Sequence, residues 1–169
     1  GAEATFVARS VDVFVPHLKA VLKKAAAHKG SAFVEILQNC NIFNDGAWDP
    51  LKDSDHRDNL TLRLEHGQPI TLVDGSRGVI REANGSLALA DVAEVGIDAV
   101  LVHDSHNPDP SVAFALSRLS DPMTLANTPI GVFRDVSRPV YEEEVQAQVD
   151  AEVARSGRGK LADLISSGA

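Results

Sequence analysis

The chain has 169 residues, 44% of them hydrophobic and 24% charged, with a net charge of −8. That is the balance of an ordinary globular protein with room for one sizeable core. The acidic excess argues against a nucleic-acid partner, and no apolar run approaches the roughly 20 residues that a membrane helix needs. A single cysteine excludes an internal disulfide framework and suits a reducing, cytoplasmic setting.

The first elements read strand, helix, strand. Thr5 to Arg9 forms an apolar run almost at the first residue, which leads us to expect a piece of a longer chain. Pro16 fits the first turn of a helix and Gly30 its stop. Leu18, Val21, Leu22 and Ala25 recur at helical spacing, so a buried stripe of four is expected. Lys23, Lys24, His28 and Lys29 lie in the last turns and complement the helix dipole. Ser31 to Gln38 follows, apolar at nearly every position except Glu35. Such continuity predicts a strand covered on both faces, as in a parallel sheet. One βαβ unit is too little sheet for a domain.

Residues 45–58 are polar and aperiodic. Asn59 to Leu64 alternates as a half-buried strand, and Ile70 to Val73 is placed to pair back on it. Gly78 to Ala83, Ala88 to Val95 and Ala99 to His103 are further short strands. Asp109-Pro110 starts a helix through Leu119 with Val112, Leu116 and Leu119 on one face. From Pro129 onward the chain reads as a Pro- and Arg-containing arm, helical from Val140 to about Ala154. After a break at Gly157-Arg158-Gly159, a short helix runs to Ile165.

Several segments carry candidate chemistry. Cys40 follows an apolar strand and begins a turn, where open α/β sheets gather ligands. It could be a nucleophile, one ligand of a larger metal centre, or a small buried side chain. A nucleophile needs a base beside it, and no histidine is close in sequence. An iron–sulfur cluster normally takes four thiolates, of which this chain supplies one. By chemistry alone the buried side chain is the commoner fate of a free cysteine. The stretch His103-Asp104-Ser105-His106-Asn107-Pro108-Asp109 gathers imidazoles and carboxylates. It lacks the helical histidine pair and the thiolates of familiar zinc motifs, so it reads as a polar loop with a helix cap. Gly75-Ser76-Arg77-Gly78 lacks the Gly-Lys-Ser/Thr ending of a phosphate loop. Trp48 is expected to cover the chain's own core.

Phe6-Val7-Ala8-Arg9, the Lys- and Ala-rich helix ending His28-Lys29-Gly30, Ala32-Phe33-Val34-Glu35-Ile36 and Gln38-Asn39-Cys40-Asn41-Ile42-Phe43-Asn44-Asp45-Gly46 resemble the β subunit of 2-oxoacid:ferredoxin oxidoreductases, most closely the bacterial 2-oxoglutarate type. His103-Asp104, Asp109 through Leu119, and Pro129-Ile130-Gly131-Val132-Phe133-Arg134 resemble the C-terminal part of the same subunit. The Cys-x-x-Phe-Asn segment is the most specific piece, although Asn41 stands where many members have proline.

The resemblance implies an α/β fold. Residues 1–45 would be the C-terminal βαβ portion of a thiamine-diphosphate-binding domain, and residues 46–169 a mixed strand and helix C-terminal extension. It implies thiamine diphosphate, Mg²⁺ and one [4Fe–4S] cluster as cofactors. The partners implied are an α subunit, a second β copy, ferredoxin, a 2-oxoacid and coenzyme A. The activity implied is CoA-dependent oxidative decarboxylation of 2-oxoglutarate, with pyruvate as the alternative substrate. Cys40 matches the family's fourth cluster ligand, and Asn44 is placed to donate its amide to a cluster sulfide. The other three cysteines and the Gly-Asp-Gly…Asn diphosphate segment are expected outside these residues, so this piece alone should be inactive. The arm from Pro129 is expected to wrap the α subunit or the second β copy. A reading from another class is a non-catalytic α/β interaction domain with Cys40 buried.

Overall fold

Strand β1 (Phe6–Val11) begins the chain's main sheet in the computed structural model, which describes residues 1–167. The chain divides into two units, Gly1–Ser137 and Arg138–Ala169, each considered by itself below. In the first unit β1 leads into helix α1 (Val15–Ala27), with Pro16 in its first turn where no N–H is missed. Only Val21 of α1 is buried, and Leu22 is exposed. The expected stripe of four narrows because the helix rests on a small cluster of Phe6, Ala8 and Val21, which Ala25 and Val34 border.

Strand β2 (Ala32–Leu37) runs parallel to β1 in unbroken register from Phe6↔Ala32 to Val11↔Leu37. The register explains the one charge in β2: Arg9 lies opposite Glu35, and the two side chains form an ion pair. One expectation is corrected here. Among the described residues β2 is an edge strand, with Phe33 57% exposed and Ile36 40% exposed. It has the composition of a doubly covered strand without the cover.

A helical turn α2 (Asp49–Lys52) and a 3-10 turn at 57–59 precede strand β3 (Thr61–Leu64). Ile70 to Val73 pairs back on β3 as expected, the Val73 N–H donating to Thr61 O at 3.0 Å and the Arg63 N–H to Thr71 O at 3.1 Å. Strands β4 (Arg77–Arg81) and β5 (Leu87–Asp91) form a two-stranded antiparallel hairpin. The strand expected to reach Val95 stops at Asp91, whose carboxylate accepts the Ala93 N–H and starts the helical turn α3 (Val92–Val95). Helix α4 (Ser111–Ser117) begins where Asp109 accepts the Ser111 N–H, and Leu116 on its inner face is fully buried.

The larger correction is strand β6 (Thr128–Asp135). The sequence reading placed these residues in a wrapping arm. They form an interior strand of the sheet, whose order is β2-β1-β6-β3, antiparallel to β1 and parallel to β3. Pro129 and Gly131 look like strand breakers. Gly131 is required: its φ is +122°, and a Cβ there would run into the Leu64 carbonyl. The register of β6 shifts between Val7 and Ala8 of β1. Arg134, part of the expected arm, is buried and donates to the carbonyls of Asn107 and Pro108 at 3.1 and 3.0 Å.

The sheet therefore draws on strands from both sides of residue 45, and the architecture is α/β with a mixed sheet. One core gathers Leu62, Leu64, Ile70, Leu72, Leu116 and Phe133, and a second gathers Val11, Leu37, Leu51, Leu125 and Ile130. In the second unit α5 (Tyr141–Ser156) and α6 (Leu161–Ser166) flank the expected break, and neither has a buried residue.

Candidate functional site

The loop that follows β2 is built on the second core. Leu37 is buried at the end of β2, and the Asp12 N–H donates to its carbonyl at 3.1 Å, so β1 and β2 end together on one edge. Trp48 and Phe14 pack against the Val11–Leu37–Leu51 cluster beneath, which is the role expected of Trp48. Strand ends in a parallel pair leave side chains aimed past the sheet edge, which is where Cys40 lies.

From Asn39 to Gly46 the backbone folds into a tight loop. The Asn44 N–H donates to Cys40 O at 2.9 Å, closing a turn over residues 41–43. Asn39 clamps the two ends: its Oδ1 accepts the Gly46 N–H at 2.8 Å, and its Nδ2 donates to Asp45 Oδ1 at 2.9 Å. Gly46 has φ +73°, a left-handed conformation that a side chain would strain.

Cys40 is partly buried. Its sulfur faces backbone amides: the Phe43 N–H and then the Ile42 N–H hold the thiol below its ordinary value, and the Asn44 N–H adds a smaller pull against the effect of partial burial. Such N–H donors stabilise the thiolate. No imidazole is among the partners of this sulfur in the described residues, so nothing there serves as the base that a nucleophile needs. Ile42 and Phe43 themselves stand out into solvent, 83% and 89% exposed.

A thiol held toward its thiolate in this way can serve as one ligand of a metal centre. Amides pointing at the sulfur are a known lever on cluster potential. As a fit to a [4Fe–4S] group the loop supplies one ligand of a set of four, because Cys40 is the one cysteine of the sequence. Asn44 lies in the same loop with its side chain exposed; the group placed near the sulfur is its main-chain amide. The Ile42 and Phe43 amides are the contributors that sequence reasoning missed. The only signal for them is the Cys-x-x-Phe-Asn spacing closed by Gly46.

The His103–Asp109 stretch is a capped polar loop, as read. Asp104 accepts the His106 N–H, Asn107 accepts the Asp109 N–H, and His103 is buried with Nε2 2.7 Å from Val132 O. Burial, foremost, lowers the His103 pKa. The structure adds a neighbour that the sequence did not place there, His66 from the loop after β3. A cavity of about 830 Å³ runs between α1 and β3 past His66 and His106. No residue of the 38–46 loop lines it.

No family model matches the sequence. Individual proteins do. The chain is 44% identical over 168 residues to the 2-oxoglutarate oxidoreductase subunit KorB of Mycobacterium tuberculosis, covering 98% of this chain and 44% of that protein. A segment of 41 residues is 54% identical to subunit beta of 2-oxoacid:ferredoxin oxidoreductase 1 of Aeropyrum pernix and 51% identical to the corresponding subunit of Saccharolobus solfataricus. Each of those two matches covers 24% of this chain and 13% of the relative. The chain thus spans less than half of the curated relatives it matches. By sequence it is similar, over 98% of its length, to part of a 2-oxoglutarate oxidoreductase subunit, and over 41 residues to β subunits of 2-oxoacid:ferredoxin oxidoreductases.

Proposed function

We propose that these residues are part of the β subunit of a 2-oxoglutarate:ferredoxin oxidoreductase, and that Cys40 is one ligand of its [4Fe–4S] cluster. The observation that carries this reading is the Cys40 loop: a partly exposed thiol at a strand end, in a turn closed by the Asn44 N–H on Cys40 O and clamped by Asn39, whose main-chain amides hold the thiol below its ordinary value. An inert buried thiol would need neither feature, so the interaction-domain alternative is the weaker one. The match to a 2-oxoglutarate oxidoreductase subunit over 98% of the chain supports the substrate.

When bound, thiamine diphosphate with Mg²⁺ would supply the carbanion chemistry of decarboxylation and the cluster single-electron transfer. The work of this chain's own residues is narrower. Cys40 would hold iron, and the amides of Phe43, Ile42 and Asn44 steady the thiolate charge. Asn39 and Gly46 fix the loop. The three further thiolates and the diphosphate-binding segment would come from outside these 169 residues. We keep residues 1–45 as the end of the thiamine-diphosphate domain, with the strands of 46–169 completing its sheet. The α subunit, a second β copy and ferredoxin would be the protein partners, in the cytoplasm, with the α5–α6 tail as an arm toward one of them. No helix among the described residues is long and apolar enough to cross a membrane.

The test is turnover by the full-length subunit assembled with its α partner. Coenzyme A-dependent reduction of ferredoxin should proceed with a higher kcat/KM for 2-oxoglutarate than for pyruvate, and the 169 residues alone should give none. Reduction that prefers pyruvate would overturn the substrate, and no 2-oxoacid-dependent reduction at all would overturn the reading.

A further inference from the structure

His66 belongs to the loop after β3, whereas Asp104 and His106 belong to the loop before α4. The fold brings them together so that one ligand-type atom from each lies within 4.8 Å of the other two. His66 Nδ1 is 3.6 Å from Asp104 Oδ1, and the two imidazole rings stack with centroids 4.2 Å apart and planes 32° from parallel. Aromatic stacking is a weak attraction, and an exposed His–Asp pair is weaker still. Converging three exposed side chains also costs rotamer freedom. A bound cation gives this convergence a stronger cause.

We propose that His66, Asp104 and His106 form a binding site for a divalent transition metal of the Zn²⁺ class. Two imidazole nitrogens and a carboxylate oxygen are a donor set that holds Zn²⁺ with one coordination position open. Bonds of about 2.0–2.2 Å to a tetrahedral ion place donors about 3.4 Å apart. The His66–Asp104 separation of 3.6 Å already meets that spacing. The other separations close by small side-chain rotations, which exposure permits for all three residues. Imidazoles select against Mg²⁺ and Ca²⁺, which take oxygen ligands.

The backbone beneath the cluster is fixed before any ion arrives. The Gly67 N–H donates to His103 O at 2.8 Å, and the His103 N–H donates to Gln68 O at 2.9 Å, so the two loops are cross-bonded. His103 is itself anchored on β6 through Val132 O. The Asp104 Oδ1 that accepts the His106 N–H at 3.0 Å holds the carboxylate beside the second imidazole. The Ser105 N–H reaches His66 Nδ1 at a long 3.3 Å, a weak contact that the ion replaces. His66 and His106 both line the cavity of about 830 Å³, so the open position faces it and holds water or an anionic ligand there. The ion would clip the loop after β3 to the loop before α4. This site is independent of Cys40.

The test is calorimetric titration of ZnCl₂ into the cluster-loaded, full-length protein in buffer already saturated with MgCl₂. Wild type should bind about one equivalent of zinc that His66→Ala and His106→Ala bind at least about tenfold more weakly. His56→Ala removes an exposed histidine outside the cluster and should bind as wild type does. In buffer already saturated with Mg²⁺, zinc should still raise the wild-type melting temperature, a readout that needs no variant. In crystals soaked with zinc, an anomalous peak should sit between the three side chains. Equal zinc affinity in wild type and His106→Ala, or a peak elsewhere, would overturn the proposal. The visible absorption of the cluster in His106→Ala reports on the Cys40 reading separately.

Discussion

Asn39 Oδ1 accepts the Gly46 main-chain N–H at 2.8 Å and so joins the two ends of the loop that presents Cys40. The same side chain donates to Asp45 through Nδ2. Replacing it should open the turn and let the amides drift from the sulfur. Asn39→Ala is expected to cost about 1 kcal/mol of stability in a urea titration, the usual loss for a partly exposed hydrogen bond. The loop effect should show at Cys40: the pH midpoint of iodoacetamide alkylation, read on cluster-free protein, should move up toward that of a free thiol. An unchanged midpoint would mean that Asn39 does not position the amides.

The wild-type thiol has its own pH signature. The Phe43 and Ile42 amides lower its pKa in the fold, so the thiolate forms first in the folded chain. This contribution to stability is fully present above the unfolded thiol value near about 8.5 and is lost as pH falls through the lower folded value. Alkylation of the cluster-free protein should therefore begin at lower pH than alkylation of the unfolded chain. Coincident midpoints would show that the amides exert no pull.

His103 acts at lower pH. Burial disfavours its imidazolium, and its pKa is lowered in the fold. The unfolded chain then binds the proton first. Stability is fully present above the ordinary histidine value of about 6.5 and is lost as pH drops through it toward the folded value. His17, also lowered by burial first of all, shifts in the same direction. Melting temperatures between pH 7 and pH 5 should fall for wild type and fall less for His103→Gln. Parallel slopes would remove His103 as a source of acid sensitivity.

Gly131 sets the approach of β6 to β3. A methyl group there meets the Leu64 carbonyl, and the φ of +122° resists a side chain. Gly131→Ala should lose about 1–3 kcal/mol in chemical denaturation. Gly159→Ala, where a Cβ has open space, should be near neutral. Equal stabilities for the two variants would contradict the close approach.

These residues also show what the sequence could disclose. The βαβ start, the hairpin region and the α4 cap were legible because period, proline and capping residues act locally. β6 was not, because Pro129, Gly131 and Arg134 each signal a loop or a surface. For Gly131 and Arg134 the true reasons are a Leu64 carbonyl and two loop carbonyls contributed from far along the chain. Cys40 was legible as a residue at a strand end; the amides around it were not, since they carry no side-chain signature. His66 joined His106 only once the loops were cross-bonded. The exposure of Phe33 follows from strand order, which composition does not encode.

The central claim is that Cys40 holds cluster iron. It is tested most directly by counting iron and acid-labile sulfide, with the visible spectrum, on anaerobically purified full-length subunit and its Cys40→Ala variant. The account predicts a brown wild type with about four iron atoms per chain and a variant that has lost the intact [4Fe–4S] spectrum. Identical iron content and spectra in the two proteins would contradict it.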